Sequence, residues 1–168
     1  SIQLIITKNP VITVVNSSLD ICAGTAVPIT GPGVYFGIQT ANFDELEKRK
    51  DEVKGKIVYF HSVFDPTKIQ TFRAYGESGV YRRSGASRAA KYGAVGIMIH
   101  SLSTAPDNAP HTGSMSYEKD LPMIPAVALG PNDAKMLYAL AQKGSVKVQL
   151  QTYGQFLPDV DDQNVVAE

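Results

Sequence analysis

Cysteine is almost missing from this chain: Cys22 is the sole one among 168 residues. No internal disulfide can form, and a zinc site built on two or four cysteines is excluded. Low cysteine use fits the cytosol and a disulfide-free exported protein equally. Cys22 lies among Ile21, Ala23 and Gly24 and reads as a small buried hydrophobe, not as a nucleophile. An excess of one charge is also missing, since sixteen Lys and Arg balance sixteen Asp and Glu. That balance argues against nucleic acid or a polybasic membrane patch as partner. No apolar run approaches the ~20 residues that span a bilayer. No secretory leader is visible, and the first residue is Ser1, as expected of a fragment or a processed product.

Several chemical motifs are missing as well. The three histidines, His61, His100 and His111, form no His-x-Asp pair and no His-Glu-x-x-His. Gly-x-Ser-x-Gly does not occur, nor does a phosphate-binding Gly-x-x-x-x-Gly-Lys-Ser/Thr. The tightest metal-like pair is His61 with Asp65, which reads better as a loop cap. Asp159, Asp161 and Asp162 lack the Gly and distal Glu of a calcium loop. A chain that can fold yet shows no complete active site reads as an accessory module.

What is present suits one globular domain. Hydrophobic residues make up 43% and charged residues 19%, and a chain of this length buries roughly 70% of its unfolded surface. The organising stretch is 56–99. An apolar strand (Lys56 to Phe60) precedes a long polar loop over 61–79, which carries His61, Asp65, Arg73, Tyr75 and Glu77. A helix over 81–92 follows, with Ser78 as its expected cap, and then a second apolar strand up to Ile99. This is a strand, crossover helix and parallel strand, with the right hand expected of such units. Ala86, Ala89, Ala90 and Gly93 share one helix face, so the helix can lie close to the sheet. Arg82, Arg83 and Arg88 read as its solvated basic face.

The remaining elements follow from local pattern. β-branched runs at 2–7 and 11–15 predict strands, and Asn16-Ser17-Ser18 matches a glycosylation sequon but reads as a polar turn. Residues 24–33 read as a Gly/Pro loop and 34–39 as a strand. Asn42 and Glu45 form a capping box for a short charged helix to about Lys50. A second long loop spans 100–121, followed by a buried strand at 124–129. Pro131 opens a helix over 132–143 that Gly144 closes. Alternation over 146–152 predicts a strand with one wet face. The terminal strands are expected to pair antiparallel.

Gly55-Lys-Ile-Val58, Ala89-Ala-Lys-Tyr-Gly-Ala94 and Ile124-Pro-Ala-Val127 together resemble the protease-associated (PA) domain. Tyr81-Arg-Arg-Ser-Gly-Ala86, Pro110-His-Thr-Gly113 with Tyr117, Pro122 to Ala126 and Asp133 to Leu137 are similar to the PA insert of plasma glutamate carboxypeptidase-type zinc peptidases. The resemblance runs from about Phe43 onward. It implies a β-rich α/β fold: a PA-like β-sandwich or open barrel with flanking helices, of the swivelling β/β/α type. Residues 1–157 would form this one domain, and 158–168 a linker toward an absent peptidase domain. That absent domain would hold two zinc ions, with no cofactor, metal ligand or catalytic residue in this stretch. The implied role is to cover the active-site cleft of an exported amino- or carboxypeptidase. The implied partners are the parent peptidase domain, a peptide substrate and a second copy of the chain. His111, Thr112 and Gly113, with Tyr117 and Arg82, form the candidate substrate or interaction loop; His111 locking its own loop is the bland reading beside it. An independent peptide-, protein- or glycan-binding module is the alternative function.

Overall fold

The computed structural model describes residues 2–8, 11–17, 29–37, 43–65, 67–104, 107–111, 113–144, 146–151 and 158–161. The expectations for Cys22, Asn42, Thr112 and the tail past 161 therefore fall outside the described residues.

Among the described residues seven strands form one sheet: β1 (Ile2–Lys8), β2 (Val11–Ser17), β3 (Ile29–Gly37), β4 (Ile57–His61), β5 (Gly96–His100), β6 (Ala126–Leu129) and β7 (Lys147–Gln151). Their order is β2-β1-β7-β3-β4-β5-β6. The half containing β2, β1 and β7 is antiparallel, and the half containing β4, β5 and β6 is parallel. β3 joins the two halves. Its residues Ile29 to Pro32 run antiparallel to β7, and Gly33 to Gly37 run parallel to β4. The Gly/Pro stretch read as a loop is thus strand from Ile29 onward. Two neighbours of opposite direction satisfy its backbone in turn, which outweighs its poor local propensity. The terminal strands do pair antiparallel, with Gln3 opposite Gln151. β2 and β6, at the two ends of the order, approach each other without forming a ladder. The result is one curled, open barrel and not two stacked sheets.

Three α-helices flank the sheet: α1 (Asp44–Lys48), followed by a 3₁₀ turn at Lys50–Glu52, α2 (Thr71–Ala90) and α3 (Pro131–Gln142). α2 begins ten residues earlier than the sequence indicates. Gly76, Ser78 and Gly79 weaken its first half locally, but tertiary contacts hold it. Ser78 is buried inside the helix, where its hydroxyl meets that of Ser62 at 2.9 Å, and it caps nothing. Lys68 pairs with Glu77 and ties the preceding loop to the helix.

β4, β5 and β6 are buried on both faces. Val58, Phe60, Ile97, Ile99, Ala126 and Ala128 pack under α2 and α1. Ile57, Tyr59, Met98, Val127 and Leu129 pack with α3 and with Val148 and Leu150 of β7. Phe60 stacks on Tyr81 of α2 at 5.4 Å between centroids, and Phe43 meets both rings edge-on. Burial pushes the Tyr81 hydroxyl up to about 12, with Asp44 and Glu45 adding to the effect. The small face of α2 permits this contact: Ala86 and Ala89 are fully buried. Gly93 lies past the helix end and closes it at φ +81°; its carbonyl accepts from Gly55 N at 2.8 Å.

The described residues of the second long loop, 101–125, form no helix or strand, yet their backbone is held. Ser116 N donates to Arg83 O at 2.9 Å, and Glu118 N donates to the buried Ser87 hydroxyl at 2.8 Å. Asn108 reaches α3. Its Oδ1 accepts from Asn132 N at 3.0 Å and Asp133 N at 3.3 Å, and its Nδ2 donates to Asp133. The cap of α3 is therefore supplied from 24 residues upstream, because Gly130 at the N-cap position offers no side chain.

A methyl at Gly85 would stand 3.1 Å from Phe60 Cε2 and 3.3 Å from Ile97 Cδ1, whereas one at Gly76 meets nothing within 4 Å. Gly85→Val is expected to cost about 1–3 kcal/mol by overpacking and to lower Tm by roughly 3–10 °C. Gly76→Ala, on the same helix, should instead gain up to about 1 kcal/mol from propensity alone. Thermal melts of the two variants check this; equal shifts of the same sign would refute the close approach of α2.

Candidate functional site

The carboxyl ends of β4 and β5 carry two sets of polar groups, one inner and one facing solvent. In parallel sheets this edge is where ligands bind.

The inner set centres on His61, half-buried, and His100, buried, the last residues of the two strands. Their rings meet edge-on at 5.3 Å, and His61 stacks on Tyr138 of α3 at 4.3 Å. The Tyr59 hydroxyl donates to Ala134 O at 3.1 Å and lies 2.8 Å from His61 Nδ1. Its one proton is used on the carbonyl, so neutral His61 carries its hydrogen on Nδ1 and donates to Tyr59. His100 Nδ1 donates to Ser101 O at 2.7 Å, and its Nε2 is buried with no partner among the described residues. Burial pushes His61 down to about 4, with the neighbouring His100 adding to it. His100 is lowered by burial and by Lys135, against the raising effect of the Ser101 carbonyl. Asp65 does not pair with His61 and caps its own loop, accepting from Thr67 N at 2.9 Å and Thr67 Oγ1 at 2.7 Å.

The outer set contains Arg82, His111 and Gly113 from the candidate loop and adds Tyr75. Arg82 is only 5% exposed, so it leaves the solvated face shared by Arg83 and Arg88. Its Nη1 donates to the Tyr75 hydroxyl at 2.7 Å, and its guanidinium lies over the Tyr75 ring, 5.3 Å from the centroid. The Tyr75 hydroxyl in turn lies 3.2 Å from His111 Nε2. A Cβ at Gly113 would come within 2.8 Å of Arg82 Cζ, so the loop backbone lies flat on the guanidinium. Arg82 Nε is buried and unpartnered among the described residues, and no carboxylate there pairs with the guanidinium. His111 N donates to Ser101 Oγ at 2.6 Å, which links this set to His100 through one residue. Tyr117 does not join the cluster: its hydroxyl donates to Ile124 O at 2.6 Å, and its ring packs on the α2 side of the core.

An open cleft of about 300 Å³ adjoins Tyr75 and His111, lined also by Phe64, Phe72, Leu102 and Ser103. Phe72 at its mouth is 87% exposed, and Ile69 on the same segment is 97% exposed. Tyr75 and Phe72 were not legible as site residues while 61–79 read as a loop. Once α2 is known to start at Thr71, Tyr75 and Arg82 stand at i and i+7, on one face.

Among the described residues no three His, Cys, Asp or Glu side chains converge to hold a metal ion. His61 and His100 offer two imidazoles and no carboxylate, so these residues do not fit a zinc centre.

The inner pair sets a pH dependence with a definite sign. Both histidines fold neutral with lowered pKa values, so unfolding takes up protons in acid. Their stabilisation is complete above pH 6.5 or so and is lost as pH falls toward 4. An NMR titration should place the His61 midpoint near 4. A midpoint at 6.5 or above would show that the pair is not buried in this way.

No protein-family model matches the sequence. The chain is 40% identical to carboxypeptidase Q of Xenopus laevis over 132 residues, covering 78% of this chain and 26% of that protein. With carboxypeptidase Q of Mus musculus it shares 35% identity over 129 residues, 76% of this chain and 26% of the relative. Among solved structures it is similar to a peptidase M28 precursor from Shewanella amazonensis SB2B, with a TM-score of 0.75 and 26% identity over 90% of this chain and 34% of that one. The chain thus spans about a quarter of the length of the curated relatives it matches. By sequence and by fold, it is homologous to one domain of an M28 peptidase of the carboxypeptidase Q kind.

Proposed function

We propose that this chain is the non-catalytic PA domain of an exported zinc-dependent amino- or carboxypeptidase, lying over the active-site cleft and shaping which peptides enter. The observation that carries the proposal is the extent of the match: 40% identity, confined to 26% of a carboxypeptidase. The two zinc ions then belong to the rest of that protein. The adjacent antiparallel strands β1 and β7 support an inserted domain, since they set its two connections side by side.

Within this reading, the Arg82–Tyr75–His111 set is the substrate-facing patch, and its chemistry fits a carboxylate. A buried guanidinium without a counter-ion among the described residues has lost hydration and regained little; a bound carboxylate would restore the balance. Because the Tyr75 hydroxyl accepts from Arg82, its own proton is left for an acceptor beyond, His111 Nε2 in this structure. The positive charge behind it strengthens that donor. The carboxylate of a peptide C-terminus is the ligand that a peptidase domain would meet.

Tyr75→Phe keeps the ring and removes the donor. In the parent peptidase it should raise KM about tenfold for substrates with a free C-terminal carboxylate, with little change in kcat, as expected for one charge-assisted hydrogen bond. Substrates with an amidated C-terminus should be unaffected. Equal effects on both would exclude the carboxylate role. The isolated chain should hydrolyse no peptide; metal-dependent hydrolysis with stoichiometric zinc would overturn the non-catalytic reading.

A further inference from the structure

We infer that the cleft beside Tyr75 takes the apolar side chain of the residue whose carboxylate the Arg82–Tyr75–His111 set holds, so that the domain selects peptides by their C-terminal side chain. This rests on the carboxylate reading of that set and adds to it a preference for large apolar residues over small or charged ones.

Two adjoining features make one two-point site. The first is the polar chain from Arg82 through the Tyr75 hydroxyl to His111. The second is the cleft, of which Tyr75 and His111 are themselves walls. An amino acid with a free carboxylate has the same layout: an anion and a side chain on one carbon. Of the other walls, Phe64, Phe72 and Leu102 offer apolar surface, Ser103 and Thr104 add two hydroxyls, and none carries a charge. Phe64 meets Tyr75 edge-on at 6.2 Å, and His111 meets it edge-on at 5.6 Å. Tyr75 is thus held on two sides, while its hydroxyl is fixed by Arg82.

The volume admits an occupant of this size. About 300 Å³ lies at the lower limit of small-molecule cavities, enough for one large side chain. Phe72 keeps 87% of its surface in water at the mouth, and an apolar ligand side chain would cover part of it. No carboxylate lines the cleft to neutralise a cationic side chain, and an anionic one would have to shed its hydration against Phe64 and Leu102. Aromatic and branched aliphatic side chains are the ones that gain there.

The test is an NMR titration of the 168-residue chain with N-acetylphenylalanine, N-acetylleucine, N-acetylalanine and N-acetylphenylalaninamide. N-acetylphenylalanine and N-acetylleucine should bind about tenfold tighter than N-acetylalanine, in line with burial of one large side chain. The amide should bind at least tenfold more weakly than the acid. Phe72→Ser should reduce the Phe-over-Ala ratio to threefold or less; its 87% exposure makes the change harmless to the fold. If the phenylalanine and alanine acids bind equally, the side-chain inference fails while the carboxylate reading stands. If the amide binds as well as the acid, the carboxylate reading fails. If nothing in the panel binds, both fail.

Discussion

The close approach of α2 to the sheet is the constraint from which the other features follow. A methyl at Gly85 would press on the Phe60 ring and on Ile97, and the buried Ala86 and Ala89 keep the same face small. With larger residues there the helix axis would stand further off, as helix-to-sheet spacing follows side-chain size. The Phe60–Tyr81 stack and the Phe43 contacts that bring α1 onto the core would then open. Arg82 follows Tyr81 directly, so the packing that buries the tyrosine also carries the guanidinium under the loop at Gly113. A charge enters the interior because its helix sits deep, and Tyr75 one face-repeat earlier is its hydrogen-bond partner.

The parallel half of the fold could be read from local pattern, and the junction with the antiparallel half could not. Residues 57–60 and 96–99 are apolar and continuous because both their faces are covered, which is a local signature of a non-local fact. The first part of β3, up to Gly33, has no such signature. Thr30-Gly-Pro-Gly33 takes its strand geometry from β7 and β4, which lie far away in sequence. The first half of α2 was hidden in the same way by Gly76 and Gly79, whose weak propensity is overcome by Ser62, Lys68 and the sheet.

The candidate site divides along the same line. His111, Gly113 and Arg82 can be picked out by residue type, and the chain brings them together. Tyr117 has the same appearance in sequence, but its hydroxyl serves the backbone at Ile124. Nothing in the sequence distinguishes an aromatic hydroxyl that locks a loop from one that faces a ligand; only the position of its acceptor does. The His61–His100 contact is legible solely once β4 and β5 are known to be parallel neighbours with both histidines at the same end.

The cap of α3 by Asn108 orders events in folding. Gly130 is a weak start signal, and the three helix-opening groups bonded by Asn108 are satisfied only after residues 101–130 have closed on themselves. Closing a loop of that length costs chain entropy before any contact repays it. α3 should therefore nucleate poorly by itself and consolidate late, together with the loop and not ahead of it. Loop and helix then share one opening free energy in the native state. The same loop carries His111, so the last region to become rigid is also the one that completes the rim of the cleft.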